Sequence, residues 1–270
     1  MIRHRVAHGT AGFTLIELAV VLAIIALLAG GILAGQSMIR GAELRNITVE
    51  SQRYIDAIGV FRDKYASLPG DMSNATSVWA AATTCPSVMT SAAAGVCNGD
   101  GNAQIQPNAT SSNEIFGFWE HLSNAGLIEG SYTGAPNSAT ATANSALFGV
   151  NTPASNFGNA GWSVFYLATI PISRTDYYDG SYGHVLFFGS NNSSEPPERV
   201  LKPEEALNID QKIDDGFPAI GTVLSLESQG STGALGCGNL GDSNSVSLAN
   251  SAYAVINSGR NCSLIFKTGY

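Results

Sequence analysis

The sequence predicts an α+β protein: a long N-terminal helix followed by a small antiparallel sheet head with extra helices and long loops. Three observations predict it. An apolar run from Phe13 to Leu33 leads straight into an amphipathic stretch ending at Tyr65. Leu68-Pro69-Gly70-Asp71 then stops the helical pattern. Beyond it, short apolar segments alternate with turn-rich stretches.

The expected domains are a leader at 1–12, a helix at 13–65 and a globular head at 66–270. Phe13 to Leu33 would span about 31 Å as a helix at about 1.5 Å per residue. That matches a bilayer core of about 30 Å, so 13–33 is read as transmembrane. Arg3 and Arg5 lie only before the run, which keeps that end cytoplasmic and sends the head outside. Glu17 is a carboxylate inside an otherwise lipid-compatible helix, and a charge at such depth is a functional hypothesis by default. A cut after Gly12 would place the ammonium of Phe13 within a helical turn of Glu17. A neighbouring subunit's ammonium could neutralise it instead. In 34–65, Leu44, Ile47, Ile55, Ile58, Phe61 and Tyr65 recur at mostly three- and four-residue intervals, with a gap between Ile47 and Ile55.

In the head, Ser111-Ser112-Asn113-Glu114 has capping-box form and opens a helix to about Asn124. Residues 131–161 read as a long surface loop. Trp162–Ile170 and His184–Phe188 read as strands. Pro203-Glu204-Glu205 begins a helix to about Ile213, with acids at its positive end. Val223–Leu226, Tyr253–Ile256 and Leu264–Phe266 are further strands.

Composition narrows the function. The chain has 270 residues, enough for a real core. Only 13% are charged, and 30 are glycine, which suits a secreted or surface protein. The net charge of −8 excludes a general nucleic-acid binder, which needs clustered Lys and Arg. Cys85, Cys97, Cys237 and Cys262 lack Cys-x-x-Cys spacing. Two structural disulfides, Cys85–Cys97 and Cys237–Cys262, are the simplest reading, in an oxidising compartment. Three pairings are possible, and the sequence does not choose among them. Asn98, Asp100 and Asn102 place oxygen side chains at alternate positions, as calcium loops do. Ala103 and Ala109 replace the EF-hand glycine and bidentate glutamate, so a polar turn beside Cys97 is the competing reading. No other cofactor is expected. His121 and His184 have no nucleophile motif beside them, and Gly-x-Ser-x-Gly, His-Glu-x-x-His and P-loop patterns are absent. The chain reads as no enzyme. Trp79, Trp119 and Trp162 read as core residues.

Gly12-Phe13-Thr14-Leu15-Ile16-Glu17 resembles the prepilin signal of type IV pilins and type II secretion pseudopilins. That resemblance implies cleavage by a prepilin peptidase between Gly12 and Phe13, N-methylation of Phe13, and Glu17 as the assembly carboxylate. It implies a filament subunit of a secretion pseudopilus or a pilus, with other pilin subunits, an inner-membrane assembly platform and membrane lipid as partners. The expected place is the bacterial inner membrane, then a periplasmic or surface filament. Many type IV pilins carry a proline in the apolar helix; here Gly30, Gly31 and Gly35 form the weak stretch instead. Three head segments resemble a bacterial group of large pseudopilin-like proteins: Leu68-Pro69-Gly70-Asp71 with Lys64-Tyr65, Gly126 to Gly130, and Ile209 to Gly216. The alternatives are a minor tip subunit, acting as an adhesin through 131–161, and a membrane-anchored hydrolase.

Overall fold

The computed structural model describes residues 12–82, 85, 95–106, 114–135, 146–170, 177–178, 180–190, 199–226, 236–238 and 251–270. The expected leader up to residue 11, the Ser111–Asn113 cap and the middle of the 131–161 loop lie outside them.

Helix α1 runs from Leu15 to Tyr65. The chain divides into two compact units, Met1–Glu43 and Leu44–Tyr270, with the boundary inside this helix. In the first unit, residues 12–34 are all exposed. Phe13, Leu15 and Leu27 show 92%, 89% and 78% of their surface, and α1 is long and apolar enough to cross a membrane. Gly30, Gly31 and Gly35 lie within continuous helix.

In the second unit, α1 buries one face: Leu44, Ile47, Ser51, Tyr54, Ile58 and Phe61, a three-four alternation that keeps one stripe inward. Glu50, Ser51 and Tyr54 fill the gap in the apolar periodicity. Glu50 is 8% exposed. Its Oε2 accepts the indole N–H of Trp162 at 2.8 Å, and its Oε1 accepts the Asn156 N–H at 3.3 Å. Tyr54 meets Trp119 and Trp162 edge-on, with centroids 5.1 and 5.5 Å away. α1 is thereby tied to both other layers of the head.

Those layers are helices and a four-stranded antiparallel sheet. Helix α2 spans Glu114–Asn124 and α3 spans Pro203–Ile213. The strands are β1 (Ala160–Ile170), β2 (Gly180–Ser190), β3 (Val223–Ser225) and β4 (Leu264–Lys267). Their order is β1-β2-β4-β3, with Trp162 opposite Phe188 and Leu186 opposite Phe266. Trp119, Trp162, Phe187, Phe188 and Phe266 sit at the centre of the core. Trp79 packs partly buried against it. α3 starts at its proline, where Glu205 Oε2 accepts the Lys202 N–H at 2.9 Å.

One expected strand does not form. Tyr253 makes a single bridge to Gly238, and Val255–Ile256 then turn, closed by the Asn257 N–H on the Ala254 carbonyl at 2.9 Å. Asn257-Ser258-Gly259 follows at once, and such turn formers cut the apolar run before it can pair. Ile256 is left 90% exposed.

Candidate processing and assembly site

Gly12, Phe13 and Thr14 precede α1 and belong to no regular element. The Thr14 N–H donates to Glu17 Oε2 at 2.8 Å, the Thr14 hydroxyl donates to the same oxygen at 2.8 Å, and the Glu17 N–H reaches Thr14 Oγ1 at 3.3 Å. This is a reciprocal capping box, which satisfies orphan donors at the helix start. The Thr-x-x-Glu spacing of Thr14 and Glu17 is the sequence signal for this box. Glu17 is the one charged residue between Phe13 and Ile39. Among the described residues, a Cβ on Gly12 would meet nothing within 4 Å.

In the head, Cys85 is joined to Cys97 and Cys237 to Cys262, with Cα atoms 5.6 and 4.8 Å apart. The second bridge is fully buried.

The loop after Cys97 spends its oxygens largely on itself. Asn98 Oδ1 accepts the Thr76 N–H at 2.9 Å, Asp100 accepts both the backbone and the amide N–H of Asn102 at 3.0 Å, and Asn102 Oδ1 accepts the Gln104 N–H at 2.7 Å. The structure brings two further acids to it. Oxygens of Asp71, Asp100 and Glu114 lie within 4.8 Å of one another. Asp71 accepts the N–H groups of Asn102 and Ala103 at 3.0 and 2.9 Å, and Glu114 those of Asp100 and Gln106 at 3.0 and 3.2 Å. Burial pushes the Glu114 carboxyl up to about 7, and the charges of Asp100 and Asp71 push the same way. Burial also raises Asp71. A hard cation such as calcium fits this donor set chemically. Asp71 and Glu114 could not be found from local spacing, because the fold alone brings residues 71, 100 and 114 together.

The segments that carry the looser resemblance act as staples. Gly70 sits at φ 84 with its would-be Cβ 2.4 Å from the Glu114 carbonyl, so only glycine fits. Its N–H donates to His121 Nδ1 at 2.9 Å, while His121 Nε2 lies 3.2 Å from the Cys97 carbonyl. His121 is fully buried, and burial pulls its pKa down to about 4. Its neutral ring therefore accepts on one side and donates on the other. Asp210, also buried, accepts the Tyr253 hydroxyl at 2.8 Å and the Gly216 N–H at 3.2 Å. Asp210, Asp214 and Asp215 form a second acidic group; Asp214 Oδ2 accepts the N–H groups of Thr222 and Val223. His184 is buried between Ile105 and Tyr270 backbone atoms. Both head histidines are engaged with backbone.

The feature that decides the family signature is the apolar, exposed helix start behind Gly12-Phe13. The chain carries the prokaryotic N-terminal methylation motif over residues 8–33. This motif is the signature of the type IV pilin and pseudopilin prepilin signal. The match covers residues 8–33 and none of the head; it supports a pilin-like subunit, and the apolar helix fits a single membrane anchor. The motif implies processing by a prepilin peptidase and assembly with other pilin subunits, and its family is structural, not enzymatic. No curated protein and no solved structure matched the chain.

Proposed function

We propose that this chain is a filament subunit, cut between Gly12 and Phe13, N-methylated on Phe13, and polymerised through the first half of α1. The observation that carries the proposal is the pairing of a processing glycine with a single acid: a Cβ at Gly12 meets none of the described residues, and Glu17 is the only charge between Phe13 and Ile39, the exposed apolar stretch of α1. A glycine that the fold does not use is one that an enzyme can read. A lone carboxylate at membrane depth costs a few kcal/mol or more until a cation neutralises it, and the new ammonium of a neighbouring Phe13 supplies that cation. Neutralisation in register then favours lateral helix packing over the free subunit in lipid. The basic leader stays cytoplasmic and the head is periplasmic, which is where both disulfides form. The filament serves type II secretion or a type IV pilus, built on an inner-membrane assembly platform.

Three variants test the role of Glu17. Glu17→Ala and Glu17→Gln remain processed and methylated but yield few filaments. Thr14→Ala, which removes the cap and keeps the carboxylate, assembles better than either. Equal filament loss in Thr14→Ala and both Glu17 variants, measured by shearing and immunoblot, would reduce Glu17 to a helix cap. Calcium at Asp71, Asp100 and Glu114 is a separate proposal, supported by the three converging carboxylates.

A further inference from the structure

Glu120 is a buried acid that the filament account does not use. It lies on α2 and is 8% exposed. Glu50, Glu114 and Glu205 are buried too, and each accepts at least one N–H. Among the described residues, no hydrogen bond or ion pair reaches the Glu120 carboxylate. What covers it is backbone. A Cβ on Gly134 would collide with the Glu120 carboxylate, and Gly134 sits at φ 63, where glycine is favoured. Residues 131–135 form neither helix nor strand. They are pinned to the turn of Leu147–Asn151, where the Val150 and Asn151 N–H groups both reach the Leu147 carbonyl. The Thr133 N–H donates to the Val150 carbonyl at 3.1 Å, and the Asn151 side-chain amide donates to the Ala135 carbonyl at 3.0 Å. At the base of the segment, the Ser123 hydroxyl donates to the Gly130 carbonyl at 2.7 Å.

The titratable groups of the surrounding elements are engaged elsewhere. On α1, Arg53 donates to the Tyr54 hydroxyl at 3.3 Å, and Glu50 accepts the Trp162 indole N–H. On α2, His121 accepts the Gly70 N–H, and Glu114 accepts those of Asp100 and Gln106. Ahead of the cover, the Tyr132 hydroxyl donates to the Glu129 carbonyl at 3.0 Å, and the Glu129 charge acts on Arg53. Residues 136–145, between the cover and the turn, contain no titratable side chain. An ionised Glu120 would therefore be a buried charge without a partner, a state that interiors avoid by neutralising the group or by hydrating it. Burial accordingly raises its carboxyl to about 7. Neutralising it needs one proton, and hydrating it needs the backbone cover to move.

We propose that Glu120 is a proton latch: protonated, it lets residues 131–135 close over α2, and ionised, it draws in water by parting that segment from the Leu147–Asn151 turn. The raised value belongs to the closed form, so closure is full below about 4.5 and is lost as pH rises through about 7. The proposal is independent of filament assembly, since neither Gly12 nor Glu17 takes part. The test is hydrogen–deuterium exchange of the full chain in detergent micelles with chelator, at about pH 5.5 and about pH 8, corrected for the intrinsic base-catalysed rate. Protection of residues 131–135 falls about tenfold or more at the higher pH, while the amides of β2 stay protected. Glu120→Gln and Glu120→Met, neutral at both pH values, show no such fall. Equal protection of the parent segment at both pH values, a fall that persists in a variant whose β2 stays protected, or an equal loss across β2 in the parent would overturn the latch. So would loss of β2 protection in both variants at about pH 5.5, where the closed parent already carries a neutral Glu120.

Discussion

Glu17 and Glu50 are two carboxylates on one helix with opposite surroundings. Glu17 caps Thr14 on an exposed apolar rod. Glu50 is buried and takes the Trp162 indole N–H and the Asn156 N–H. Glu50→Ala would leave the Trp162 donor buried without a partner, and such an orphan costs about 1–3 kcal/mol. Thermal unfolding should therefore fall by several degrees in Glu50→Ala, while Asp56→Ala, on an exposed face of the same helix, should melt with the parent. Equal melting of Glu50→Ala and parent would remove Glu50 from the set of contacts that dock α1. Apolar periodicity could not foresee this. It marks positions 47, 58 and 61 by residue type, but a glutamate on the buried stripe reads as solvent-facing until a tryptophan from a strand is seen above it.

Among the elements, α1 and α3 were the most legible, since each carries its own signals: an unbroken apolar run in one, a proline followed by two glutamates in the other. Strands β1 to β4 are all legible from their apolar content, although β2 begins at Gly180, well before the apolar residues that betray it. Tyr253–Ile256 has the composition of a strand and forms a turn, because composition does not report whether a partner edge is available. The acidic loop was half legible. Local spacing exposed Asp100, while Asp71 and Glu114 arrive from a turn and from the start of α2. If calcium occupies that loop, adding it after chelation should raise the melting temperature, and Asp100→Asn with Glu114→Gln should abolish the rise. A melting curve identical with calcium and with chelator would remove the metal.

For the whole molecule, buried ionisable groups set the response to pH. Burial raises Glu114, Glu120 and Asp210 to about 7. The native state therefore takes up their protons before the unfolded chain does. Their contribution to stability is complete below about 4.5 and is lost as pH rises through about 7. His121, lowered to about 4, and His184, also lowered by burial, act in the opposite direction. Their contribution is present above about 6.5 and fades as pH falls below it, for His121 through about 4. Three acids outweigh two histidines between these limits. With chelator present, the head should thus melt higher at pH 5.5 than at pH 7.5. A lower melting temperature at pH 5.5 would mean that these acids are hydrated or paired.

The filament account depends on what happens to the first residues. Intact mass and N-terminal sequencing of chain purified from membranes test it most directly. The account predicts a mature chain that begins at Phe13, carries one added methyl group and retains the apolar helix. An intact Met1, or a chain shortened beyond Leu33, would contradict it.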